Sequence, residues 1–164
     1  MDFLTGIFVV AAFLGGQSAI PDGLGKSQEH SGEFANLINI DVTTIIEENV
    51  TGVSFAGQNL SGAIIARTNA TGADFSDANL SGAMLDSSNF SGANFSGANL
   101  KGATLKTSNM TSANFTGACL EGVIMYVTNF TDADLTGANL TGIESELSDL
   151  DTANTTGVVR DRKC

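Results

Sequence analysis

The chain contains no tryptophan, one proline, one tyrosine and one histidine in 164 residues. His30 has no second histidine to work with, and no nucleophile–base constellation can be assembled around it, so acid–base catalysis is not expected. Basic residues are scarce as well: seven Lys and Arg stand against eighteen Asp and Glu, a formal charge of -11. With a pI near 4.1, binding of nucleic acid through its phosphates is not expected. The acidic clusters lack metal-ligand spacing; Asp132, Asp134, Glu144 and Glu146 read as a solvated acidic end. No cofactor is expected. Cysteine is limited to two residues, Cys119 and Cys164.

What the chain does have is a five-residue beat. Between Val53 and Leu140 nearly every fifth residue is large and apolar, as in Phe75, Leu80, Leu85, Phe90, Phe95 and Leu100, and only Ala70 is small. The residue two before is usually Ala and the residue two after is often Gly. Helices need apolar spacings of three and four and flat strands need two, so the beat fits neither. Fixed self-similarity of this kind marks a solenoid, whose units bury their core only by stacking.

Sorting the central residues by a period of twenty gives four columns. The first runs Phe55, Phe75, Phe95, Phe115, Leu135 and the second Leu60, Leu80, Leu100, Leu120, Leu140. The third runs Ile65, Leu85, Leu105, Met125, Ser145 and the fourth Ala70, Phe90, Met110, Phe130, Leu150. The fourth column alone carries hydroxyls at minus two: Thr68, Ser88, Ser108, Thr128 and Ser148. These point inward and are expected to bond backbone groups at a corner.

Units such as Ser76-Asp77-Ala78-Asn79-Leu80 and Ser96-Gly97-Ala98-Asn99-Leu100 resemble the pentapeptide repeat family, over roughly residues 51 to 155. The resemblance implies a β fold: a right-handed, four-sided parallel β-helix with about four pentapeptides per coil. Residues 51–142 are the expected β-helix, of about five coils, and a stack at about 4.8 Å per coil makes a rod of about 25 Å. Residues 23–50 are expected to hold a linker and an N-terminal cap, with Phe34, Leu37, Ile38, Val42, Ile45 and Ile46 near helical spacing. Residues 143–164 are expected to form a C-terminal cap and tail, with Ile143, Leu147 and Leu150 spaced for a short helix where the beat fails at Ser145.

The outward position before each central residue separates the columns. It is polar in three of them, as at Asn59, Asn69 and Asp74, and largely apolar in the third: Ile64, Met84, Thr104, Ile124. Ala66, Tyr126 and Val127 lie on the same side, with the basic residues Arg67, Lys101 and Lys106 on or beside it. One side of the rod is thus a candidate interface made of Ile64, Met84, Ile124, Tyr126, Val127, Arg67 and Lys106. The alternatives are that terminal segments of the chain cover it, or that β-branched residues simply suit extended backbone. The many Asn-x-Ser/Thr sequons, such as Asn129-Phe130-Thr131, follow from the repeat.

Two cysteines allow one intrachain pairing, Cys119 with Cys164. Such a bond would tie the tail across one or two coils, with a chain-entropy stabilisation of about 3–4 kcal/mol, and would imply an oxidising compartment. The alternative is two free thiols.

Residues 3–21 carry no charge. They read either as a secretory-type apolar region with Gln17-Ser18-Ala19 as its cleavage site, or as an apolar helix over residues 1–22 that anchors the chain in a membrane. In the second reading the small pairs Ala11 with Gly15 and Ala12 with Gly16 permit close helix packing. A buried soluble helix is the third reading. The layout of apolar N-terminal segment, short acidic β-helix and C-terminal cysteine looks like that of the thylakoid lumenal pentapeptide repeat proteins. That resemblance implies lumenal location and association with a photosynthetic membrane complex. Two functions follow as expectations: a non-catalytic structural or assembly subunit docked on protein subunits of a membrane complex, or a DNA-mimicking topoisomerase inhibitor. Between Phe90 and Ala118 the charged residues are Lys101 and Lys106, which opposes mimicry of a polyanion.

Overall fold

The computed structural model describes residues 44–146 and 148–164. Strands β1 (Thr44–Ile46) and β2 (Ile64–Ala66) pair in parallel, with Thr44 opposite Ile64. Every further bridge also joins residues twenty apart in parallel, from Asn49 with Asn69 to Asn139 with Val159. Four ladders result. The Phe side runs Ser54, Asp74, Asn94, Asn114, Asp134, Asn154, and the Leu side Asn59, Asn79, Asn99, Cys119, Asn139, Val159. The apolar side runs Thr44, Ile64, Met84, Thr104, Ile124, Glu144, and the Asn side Asn49, Asn69, Asn89, Asn109, Asn129, Asp149.

Each rung is a pair of main-chain bonds. Phe75 N–H donates to Asn94 O at 2.7 Å, and Asn94 N–H donates to Ala73 O at 2.9 Å. Between sides the chain turns through a β-turn: Ala93 N–H bonds Phe90 O at 3.0 Å around Gly92, whose φ is 65°. A positive φ at that position is the type II turn, which explains why Gly often stands two after a central residue.

Inside, central residues and the Ala at minus two alternate in a continuous core. Rings of Phe55, Phe75, Phe95 and Phe115 stack at centroid distances of 4.9, 4.9 and 4.8 Å, the spacing of the strands themselves. Phe90 meets Phe75 and Phe95 edge-on at 5.9 and 5.6 Å, the arrangement that aromatic quadrupoles favour.

The ends depart from the expected caps. Ile45 and Ile46 are strand, not helix, and the ladders continue through Glu144, Asp149, Asn154 and Val159. The rungs are main-chain bonds, so Met125 N–H still donates to Glu144 O at 2.7 Å although Ser145 supplies no apolar side chain. Ile143 and Leu150 pack against the core as partly buried residues of that continuing ladder. Leu147 and the expected cap and linker residues 23–43, with His30, lie outside the described residues.

Candidate functional site

The four sides differ on the outside. On three of them, Asn and Asp side chains knit neighbouring rungs: Asn79 Nδ2 donates to Asn59 Oδ1 at 3.1 Å, and Asn114 Nδ2 to Asn94 Oδ1 at 3.2 Å. Their oxygens also accept from the backbone two residues on, as Asn94 Oδ1 does from Ser96 N–H at 3.2 Å. Where the residue is Asp, these bonds favour the charged form. Asp74 is held below its ordinary value of 3.8, first by the Ser76 backbone N–H and then by the Ser76 hydroxyl. Asp134 is lowered likewise, first by the Thr136 hydroxyl and then by the Thr136 N–H.

The ladder of the apolar side carries no Asn or Asp. Ile64, Thr104 and Ile124 are half-buried, and Met84 is 44% exposed. Beside this ladder lie Ala66, Asp86, Lys106 and Tyr126 in successive rungs, and then the corner residues Glu47, Arg67, Ser87, Thr107 and Val127. All five corner residues have positive φ, 60°, 52°, 55°, 56° and 54°, and none is Gly. Elsewhere non-Gly residues take this conformation at Asp77 and, in two consecutive rungs of one corner, at Ser112 and Asp132. Left-handed backbone costs an L-residue about 1–2 kcal/mol, and a β-branched one is a true outlier. The column that could have used Gly throughout instead presents side chains at every step, and Val127 is 53% exposed.

The hydroxyl column explains how that corner closes. At Thr68, Ser88 and Thr128 the backbone N–H donates to the hydroxyl one rung on, Ser88 Oγ at 3.1 Å, Ser108 Oγ at 3.3 Å and Ser148 Oγ at 3.2 Å. The hydroxyls in turn donate to the rung behind, Thr68 to Ile45 O at 3.1 Å and Ser88 to Ile65 O at 3.2 Å. Bonds between rungs thus replace the turn bond made at glycine corners.

Of the residues expected at the interface, Ile64, Met84, Ile124, Tyr126, Val127, Arg67 and Lys106 all fall on this side or its corner. Arg67 Nε donates to Glu47 Oε1 at 2.9 Å, so its charge is balanced locally. Lys106 has no carboxylate within ion-pair distance among the described residues; Asp86 Oδ1 accepts from its backbone N–H at 2.9 Å and from Thr104 Oγ1 at 2.8 Å. Lys101 belongs elsewhere, on the Leu side, paired with Glu121 at 3.0 Å. The continuous non-Gly corner was not anticipated, although its signal, a column without Gly two after the central residue, stands in the sequence.

On the Leu side the chain end folds back as a strap. Cys119 and Cys164 are disulfide-bonded, with Cα atoms 6.0 Å apart. Asn139 Nδ2 and Thr141 Oγ1 both donate to Arg162 O at 2.8 Å, and Cys164 N–H donates to Glu121 Oε2 at 3.0 Å. Glu121 is held below its ordinary value of 4.5, first by Lys101 and then by the Cys164 N–H. The two sulfurs and a Glu121 oxygen lie within 4.8 Å of one another, but sulfurs bonded to each other have no thiolate to offer a metal. The proposed membrane-helix residues Ala11, Ala12, Gly15 and Gly16 lie outside the described residues, among which no helix is long and apolar enough to cross a membrane.

The model for pentapeptide repeats matches in eight copies, over residues 49–86, 88–125 and 128–157. Among solved structures, the chain is similar to a pentapeptide repeat protein of the Arabidopsis thaliana thylakoid lumen, at 34% identity and a TM-score of 0.58, covering 58% of this chain and 67% of that one. A pentapeptide repeat protein of the cyanobacterium Cyanothece 51142 matches at 22% identity and a TM-score of 0.33, over 74% of this chain and 92% of that one. Full-length QnrB1, a plasmid-mediated fluoroquinolone resistance protein, matches at 17% identity and a TM-score of 0.36, over 73% and 88%. Among curated proteins none matches.

Proposed function

The chain belongs to the pentapeptide repeat family, whose members form a right-handed quadrilateral β-helix, and on that premise we propose that it is a non-catalytic docking subunit. The observation that carries this reading is the inequality of the sides. Three are covered by hydrogen-bonded Asn and Asp ladders. The fourth exposes Met84 and Val127 and keeps side chains at a corner where Gly would be less strained. Exposed apolar surface beside polar sides is the usual mark of a protein interface.

Its partners are protein subunits of a membrane complex, and its location is the lumenal side of the thylakoid membrane, where that complex is photosynthetic. The 34% identity with a thylakoid lumen protein supports the location, as does a disulfide, which persists in oxidising compartments. Residues 3–21 are the proposed membrane anchor, packed through Ala11, Ala12, Gly15 and Gly16. The docking reading is preferred to the DNA-mimicking topoisomerase inhibitor, because among the described residues Lys106 stands unpaired in the middle of the apolar side and no acidic stripe crosses it.

Native membranes carrying the tagged chain test the reading. The protein should co-purify with a membrane complex, and Ile64→Glu with Ile124→Glu should release it while the melting temperature stays within a few degrees. Recovery wholly in the soluble fraction would overturn the membrane reading, and retention of the complex by the substituted chain would remove this side as the interface with it.

A further inference from the structure

The apolar side is complementary to itself. Consider a twofold axis lying in that surface, across the rod, midway between the rungs of Met84 and Thr104. It reverses the order of rungs and keeps each lateral position. Ile64 then faces Ile124, and Met84 faces Thr104. In the next row Asp86 faces Lys106, opposite charges, and Ala66 faces Tyr126, the smallest side chain against the largest. At the corner Ser87 faces Thr107, and the Arg67 stem lies along Val127. The two charges brought together are the ones left available: Lys106 lacks an ion-pair partner among the described residues, and the hydrogen bonds to Asp86 use its Oδ1 alone.

We propose that the partner taken by this side is a second copy of the chain, in an antiparallel, isologous pair. The proposal rests on the reading of this side as a protein-docking surface, and it leaves the N-terminal segment to engage the membrane complex. A C2 interface requires that each patch match its own image, and opposite charges at mirrored rungs meet that requirement, whereas a like-charged stripe would not. Four rungs at about 4.8 Å span only about 20 Å, a small interface, so the pair dissociates on dilution through the micromolar range.

Sedimentation velocity of the full chain in detergent, across a concentration series, tests it. The wild type should shift from monomer to dimer. Asp86→Lys and Lys106→Asp should each be monomeric alone, since each opposes like charges. The two should pair when mixed, and the double swap should dimerise by itself. Lys106→Asp disturbs no side-chain hydrogen bond, and melting curves separate a lost contact from a lost fold. A zero-length carbodiimide cross-link on the wild type gives a check free of substitutions. In a mixture of isotope-labelled and unlabelled protein, Asp86 of one copy should link to Lys106 of the other. A wild type monomeric at all concentrations, a double swap that stays monomeric, or cross-links confined to single copies would overturn the proposal. If Ile64→Glu with Ile124→Glu releases a different protein while the wild type is monomeric, the docking reading stands and this one falls. If the wild type dimerises and those substitutions leave membrane recovery unchanged, this one stands and the anchor carries the docking.

Discussion

Val127 holds a β-branched side chain at a φ of 54° and leaves it 53% exposed, so neither backbone preference nor burial accounts for it. Replacing it with Gly relieves the left-handed penalty of about 1–2 kcal/mol and gives back part of that through the freer unfolded chain. Val127→Gly should therefore raise unfolding stability by roughly 0.5–1 kcal/mol in urea titration, and it should weaken self-association. A substitution that stabilises the fold while impairing binding is expected where local strain serves a surface. The inward residues were readable from the sequence because a period of twenty assigns each one a column. The conformation at the corner was not, because the absence of Gly there has no meaning until φ is known to be positive at all five positions.

The structural element here is the stack rather than the strand. Among the described residues two strands of three residues are the longest extended runs, and the remaining sides are single bridges, so no rung holds by itself. What binds the rungs is the column of side chains within. Phe115 stacks on Phe95 at 4.8 Å and tilts against Phe130 at 5.7 Å. Phe115→Ala should cost about 3–5 kcal/mol, the range for emptying a buried aromatic site, measured as a fall in the denaturant midpoint. The expected C-terminal helical cap failed at this scale. Apolar spacing at Ile143 and Leu150 satisfies a helix and a fifth-residue beat about equally, and main-chain rungs continue where the side-chain pattern stops at Ser145. The disulfide was readable as one of two options for two cysteines. The rest of the strap was not, since it depends on main-chain groups of Arg162 and Cys164, which no side-chain pattern reveals.

At the level of the molecule, three carboxylates among the described residues link stability to pH. Asp74, Glu121 and Asp134 all have pKa values below their ordinary 3.8, 4.5 and 3.8 because the folded chain donates hydrogen bonds to their charged forms. Stability from such groups is present above the unfolded values and is lost as pH falls through the folded ones. Urea midpoints should therefore be flat above about pH 5 and decline below the ordinary carboxylate range. For Glu121 the loss should appear as faster amide exchange over residues 162–164, and Glu121→Gln should give that faster exchange already at neutral pH. The uniform spacing of the bridges carries one last consequence, for how such a chain can change its length. Inserting five residues keeps every later central residue pointing inward, so the core survives. The same insertion turns everything beyond it by a quarter revolution, carrying Ile124 and Tyr126 out of line with Ile64 and Met84. Only a change of twenty preserves that alignment. The fold thus has a reading frame of five and its surface a frame of twenty, and lineages that lengthen or shorten the rod in fives would keep their stability while losing their partner.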